Sequence, residues 1–202
     1  MLMALASFGP IEAVVDHSAD RDGVLDRYVS SLVGVRRVAS DGARTAYRLP
    51  EQAPVRLGEP WPIQTAEAGA NRSKAPLAVD GNLSTEWVDG PQDPGEWLAV
   101  DLGVVRTVGG IEQAIGQDTM GFPRRLAIDV SLDGQEWRLV WDGGTAGPAF
   151  VAAVERPLEI PIRIAFEPQS ARFVRLRQIG HFEGGWTIAE LRVCAPAPSR
   201  YP

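Results

Sequence analysis

The sequence predicts a mainly β protein: an antiparallel sandwich or barrel preceded by a small α/β unit. Three observations carry this. After residue 60, apolar residues recur at every second position in short runs. Those runs are separated by turn-forming Gly, Pro, Asp and Asn, with no long helical period between them. Before residue 50 the pattern differs, with one helix-period stretch lying between strand-like runs.

In the first region, "IEAVV" reads as a short buried strand. In "DRDGVLDRYVSSLVG", Val24, Leu25, Tyr28, Val29 and Leu32 recur at helical spacing with charges between them. Ser18 or Asp20 is placed to cap the helix start, and Gly34 to end it. "VRRVASDGARTAYRLP" reads as two strands joined at Asp41-Gly42, a pair that accepts the positive φ of a hairpin turn. The result is a βαββ unit over residues 1–50, small for an independent core. It is expected to pack against the second region or against a part outside this sequence. "PEQAPVRLGEPWP" then holds four prolines in thirteen residues, and residues 51–60 are read as the linker.

Residues 61–197 form the second domain. "EWLAVDLG" puts Leu98, Val100 and Leu102 on one face. "RRLAIDVSLDGQEW" does the same with Leu126, Ile128, Val130 and Leu132, then turns at Asp133-Gly134. "LEIPIRIAFE" alternates from Leu158 through Ile160, Ile162 and Ile164 to Phe166, and "ARFVRLRQ" and "WTIAELRV" close the region. Trp87, Trp97, Trp137 and Trp141 are read as structural residues of the sandwich. "GGTAG", residues 143–147, is read as a loop between strands, unsuited to cradling a phosphate.

The bulk numbers exclude several functions. A net charge of −6 with no basic run argues against nucleic-acid binding, which needs cations to neutralise phosphates. No stretch reaches the ~18 apolar residues of a membrane span. Cys194 is the single cysteine, so no intrachain disulfide forms. There is no G-x-S-x-G, P-loop, H-E-x-x-H or Cys/His cluster, and His17 and His181 fall in different regions; the chain is read as non-catalytic.

Five pieces, "ANRSKAPLAVDGNLSTEW", "GEWLAVDLG", "FPRRLAIDVSLDGQEWRLV", "ARFVRLR" and "GGWTIAELRV", stand in the order and spacing of one family. The second region resembles the coagulation factor V/VIII type C, or discoidin, domain and its bacterial relatives, the family-32 carbohydrate-binding modules. The resemblance implies a galactose-binding-like, jelly-roll-like sandwich of about eight strands, with binding loops at one end. Vertebrate members close the domain with a disulfide between its ends; this chain lacks the second cysteine.

"PLAVDGNLSTEW" offers a calcium ion hard oxygen donors: the Asp80 carboxylate, the Thr85 hydroxyl, and main-chain carbonyls of Ala78, Asn82 and Thr85. Gly81 permits the bend that turns carbonyls inward. By resemblance to bacterial modules, Glu190 in the final "AEL" completes a structural Ca2+ site that clips the two ends of the domain together. The alternative is a tight Asp80-Gly81 turn capped by Thr85.

A sugar offers an apolar face and a hydroxyl rim, so its site pairs aromatics with fixed polar groups. Three loops qualify. "GQDTMGFPR" holds Met120 and Phe122 beside Gln117, Asp118 and Arg124. "IGHFEGGW" holds His181, Phe182, Glu183 and Trp186. "DGPQDPGE" holds Asp89, Gln92, Asp93 and Glu96. The ligand-binding candidates are His181, Phe182, Trp186, Phe122, Arg124 and Gln117. Lipid insertion through Met120 and Phe122, as the resemblance to clotting proteins suggests, has only Arg124 and Arg125 for headgroups and Asp118 against it.

The first region is loosely similar to the soluble C-terminal portion of bacterial membrane-embedded glycosyltransferases. That likeness implies a piece of a larger membrane or cell-surface protein, on the periplasmic or extracellular face. The expected function is non-catalytic recognition of a glycan or polysaccharide. The alternative is a protein–protein or structural module that orients an attached glycosyltransferase.

Overall fold

The computed structural model describes residues 2–51, 53–116 and 120–198, and divides into two compact units, Met1–Pro54 and Val55–Pro202. The first unit opens with a short helix, α1 (Leu2–Leu5), followed by β1 (Glu12–Asp16), α2 (Val24–Ser31), β2 (Arg36–Ser40) and β3 (Arg44–Arg48). The sheet order is β1-β3-β2, antiparallel throughout. Asp20 caps α2: its carboxylate accepts the backbone N–H groups of Leu25 and Asp26 at 2.9 and 2.8 Å. Gly42 makes the hairpin at φ 86°, and the Asp41 carboxylate accepts the N–H groups of Ala43 and Arg44.

The core of this unit is small, with Val15, Val29 and Tyr47 buried together. The Tyr47 hydroxyl donates to Asp26 at 2.7 Å. Of the apolar positions on α2, only Val29 is buried; Val24, Leu25 and Tyr28 are about half exposed. "IEAVV" is a strand, but Val14 faces solvent and only Val15 is buried within β1. Three strands and two turns of helix do not enclose enough volume to cover both faces.

The second unit has eight strands among the described residues. They are β4 (Thr65–Ala68), β5 (Trp87–Gln92), β6 (Trp97–Ala114), β7 (Arg125–Ser131), β8 (Arg138–Gly144), β9 (Pro161–Gln178), β10 (Phe182–Ile188) and β11 (Glu190–Cys194). A six-stranded antiparallel sheet runs β11-β6-β9-β7-β8, with β4 beside the start of β6; β10 and β5 form a second, two-stranded sheet. The two layers enclose one core, in which Trp87 and Trp186 meet edge to face at 5.1 Å and both are fully buried. The domain ends pair through backbone: Trp61 N–H to Val193 O at 2.8 Å, and Ala195 N–H to Glu59 O at 2.9 Å. Gly110 lets this strap lie flat, since a Cβ there would stand 2.4 Å from both Ile164 O and Leu57 Cδ2. The backbone pairing thus joins the two ends of the domain without a disulfide. Cys194 is buried there, its thiol pushed up to about 11, chiefly by burial.

Four expectations need correction. A helix, α3 (Ala146–Glu155), does follow residue 60, so residues 143–147 lead into it. Its buried positions, Ala149 and Ala152, lie among apolar residues that also face outward, such as Val154, so no one-sided period marks the helix; Pro148 sits in the first turn, where no N–H is required. "LEIPIRIAFE" is a strand only from Pro161: Leu158 is exposed, and Ile160 takes φ 47° to turn the chain into β9. Leu132 lies past the end of β7 and is exposed. Trp97 and Trp137 are neither in the core nor packed against it.

Candidate functional site

The loop leading into β7 is held on every side. Gly121 O accepts Thr187 N–H at 2.8 Å, and Phe122 O accepts the Gln92 side-chain amide at 3.0 Å. Pro123 O accepts the Thr145 hydroxyl, and Arg125 O accepts Ile179 N–H. Gln92 is the hub. It is fully buried, and it also donates to Gly185 O at 2.8 Å and accepts Arg124 N–H at 2.9 Å. One amide thereby ties β5, β10 and this loop into a rigid frame.

On that frame Arg124 lies between two rings. Its guanidinium carbon is 3.7 Å from the centroid of Phe122 and 3.8 Å from that of Phe182. Burial lowers its basicity, and its Nη1 is enclosed without a hydrogen-bond partner among the described residues. Phe122 also packs against the core, so the rings grip the arginine and do not present an open platform. Beside this clamp stands His181, with Nδ1 2.7 Å from Asp93 Oδ1 and Nε2 3.3 Å from Glu183 Oε1. The Asp93 carboxylate, and then that of Glu183, holds the imidazole above its ordinary value. The end of the sandwich therefore carries a planar cation, a charge-poised imidazole and two exposed carboxylates, donors and acceptors matched to a polyhydroxylated ligand.

The structure brings His181, Phe182, Phe122 and Arg124 to this end. It does not bring Trp186 there: the indole is fully buried against Trp87, facing inward from β10. Gln117 lies outside the described residues, as do Asp118 and Thr119. Two residues of the third loop take separate roles, since Gln92 is internal scaffold and Asp93 is the partner of His181. The sequence carried no signal for Gln92, which the structure places at the end of β5 inside a stretch read as loop.

Asp80, Asn82, Thr85 and Glu190 also converge. Gly81, at φ 76°, donates its N–H to Glu190 Oε2 at 3.0 Å across 109 positions. Asp80 Oδ1 accepts Asn82 N–H at 2.9 Å, and the Thr85 hydroxyl lies 2.7 Å from Asp80 Oδ2 and 2.8 Å from Asn82 O. Ala78 is buried at the end of the 3-10 segment Arg72–Val79. Burial first, then the charge of Asp80, raises the Glu190 carboxyl above the ordinary range. Among the described residues no group of three or more His, Cys, Asp or Glu gathers to hold a metal. The donors here are two carboxylates with carbonyls and a hydroxyl, an all-oxygen set that suits calcium and not a softer metal.

The residues 62–191 match the family model described as F5/8 type C domain. This chain belongs to that family. The F5/8 type C chain is 30% identical to human Neuropilin-1 over 95 residues, 45% of this chain and 10% of that one. It is 35% identical to Neuropilin-2 of Rattus norvegicus over 92 residues, 41% of this chain and 10% of the relative. It thus spans about a tenth of the length of the curated relatives it matches. Among solved structures, the family 32 CBM of NanJ from C. perfringens, in complex with galactose, is 25% identical with TM-score 0.51, covering 64% of this chain and 91% of that module. The CBM32 of AlyQ, in complex with 4,5-unsaturated mannuronic acid, gives TM-score 0.51 at 22% identity over 67% of this chain and 97% of that one. The F5/8 type C chain accordingly has the β-sandwich fold of these modules, and no helix among its described residues is long and apolar enough to cross a membrane.

Proposed function

We propose that the chain is a non-catalytic glycan-binding module whose site is the loop end of the sandwich. The observation that carries this reading is the Phe122–Arg124–Phe182 clamp beside the Asp93–His181–Glu183 cluster. The clamp aims a desolvated guanidinium, and the cluster adds hydroxyl acceptors and an imidazole. The fold shared with the galactose-bound NanJ module supports the same choice. The module is read as an appended domain of a larger bacterial cell-surface or membrane protein, facing the periplasm or exterior, with no membrane insertion of its own. A structural calcium, held by Asp80, Thr85, Glu190 and the carbonyls of Ala78 and Asn82, supports the loop frame. Its part is to neutralise the two carboxylates and hold the domain's ends together. The test is binding to an immobilised glycan panel with calcium present, repeated for His181→Ala and Phe182→Ala.

A second reading has its own observation: both ring faces turned toward Arg124 are occupied by it, so a protein carboxylate could seek the same guanidinium. In that case the module orients an attached glycosyltransferase through a protein contact. Binding of no glycan by a folded sample favours this reading.

A further inference from the structure

A groove of about 350 Å³ lies over the outward-facing side chains of the six-stranded sheet, separate in its lining from Arg124 and His181. Its residues come from three neighbouring strands in register and from the turn between β7 and β8, which supplies Gly134 and Trp137. On β4 and β6, Thr65 stands opposite Asp101 and Glu67 opposite Ala99; on β9, Arg175 stands opposite Ala99 and Phe173 opposite Asp101. Ala99 is the floor, a single methyl among long side chains. Trp97, Trp137 and Phe173 are its aromatic lining. None of the three belongs to the core or packs against it; Arg172 stacks on one face of Phe173, 4.9 Å from its centroid, and the rings otherwise line the groove.

The charges of the groove are mostly spent. Asp101 takes a bidentate pair from Arg172, 2.8 Å on each side. Arg175 donates to Asp129 at 3.0 and 3.1 Å and lies 4.2 Å from the Trp137 ring, which fixes that ring in place. Three polar groups are left without a partner among the described residues: the Trp97 indole N–H, the Thr65 hydroxyl and the Glu67 carboxylate. Aromatic surface rimmed by a donor, an acceptor and a hydroxyl is the complement of a pyranose ring. The unpaired Glu67 repels uronates and sulfated sugars. A volume at the small end of ligand sites suits one or two rings.

We propose that this sheet-face groove is a second saccharide site, taking a neutral mono- or disaccharide unit independently of the loop end. The test is an NMR titration of the full 202-residue chain with lactose, cellobiose, maltose and diacetylchitobiose, following the tryptophan indole N–H signals. The expected result is a saturable shift of the Trp97 and Trp137 indoles with at least one sugar. Affinity should fall about tenfold in Trp137→Ala, which removes a stacking face, and should also fall in Glu67→Gln, an exposed change that leaves the strand intact. The shifts should persist in Arg124→Ala. Indole signals that stay still with every sugar overturn the proposal, as do shifts that survive both groove variants unchanged. Shifts abolished by Arg124→Ala would assign the binding to the loop end and also overturn it.

Discussion

The backbone N–H of Gly81 donates to Glu190 Oε2 at 3.0 Å, linking the "DGNLST" loop to the last strand. Glu190 is only 8% exposed, and burial together with the nearby Asp80 raises its carboxyl. A raised carboxyl makes the folded state bind its proton more tightly than the unfolded chain does. In a chelator, this group's contribution to stability should therefore be fullest below the ordinary carboxylate value and decline as pH rises through the raised one. Calcium should reverse that decline, because a bound ion stabilises by mass action. Thermal melts at neutral pH should show a higher Tm in millimolar calcium than in chelator, with the difference gone in Glu190→Gln. Equal melting temperatures would remove calcium from the account and leave a bare turn.

His181 sits between Asp93 and Glu183, with its charged form favoured. The sign is that of a raised base: any stability from the contact is full below the unfolded value and is lost as pH climbs through the folded one. The imidazole should titrate above its ordinary 6.5 when followed by NMR, and Asp93→Asn should bring the midpoint down. Glycan binding that depends on the imidazolium should weaken over the same interval. A midpoint unmoved by Asp93→Asn would break the link between the two residues.

Asp129 is 2% exposed and accepts from Arg175 and Arg177, the nearest contact being 2.6 Å. Burial pushes its carboxyl up, but hydrogen bonds from Arg177 and Arg175 prevail and hold it low. Its contribution is present above the unfolded value and lost as pH falls through the folded one. Asp129→Ala should cost about 2 kcal/mol in denaturant unfolding, less than a fully enclosed pair because both guanidiniums keep access to water. The variant should also lose part of the wild-type acid sensitivity.

Trp186 separates core from site. Fully buried against Trp87, it should cost about 3–5 kcal/mol as Trp186→Ala. Trp186→Phe should cost less, because the indole N–H has no hydrogen-bond partner among the described residues to lose. Denaturant melts of the two variants give the comparison. A Trp186→Ala protein of wild-type stability that had lost ligand would return this residue to the binding surface.

The strands were legible where one face is apolar and the other polar. Leu98, Val100 and Leu102 mark β6, and Ile162 and Ile164 mark β9. The lengths of those strands were not legible. Each runs 18 residues, because they pair through irregular registers near residues 101–106 and 108–110 that no alternation encodes. Helix α3 was hidden because its apolar residues are not confined to one face: Ala149 and Ala152 are buried while Val154 is exposed, so no helical period stands out. At the site, Phe122, Phe182 and His181 could be picked out as aromatic and titratable residues in loops. The stacking of Arg124 and the hub role of Gln92 depend on three segments distant in sequence meeting at one point, and no local pattern records that meeting.

The central claim is that the loop end binds a glycan through Arg124. The most direct measurement is a glycan array probed in calcium with the full chain and with Arg124→Ala, both shown to be folded by their melting curves. The account predicts a defined set of hits for the wild type that Arg124→Ala loses. Identical hits from both proteins, or silence from a folded wild type, would contradict it.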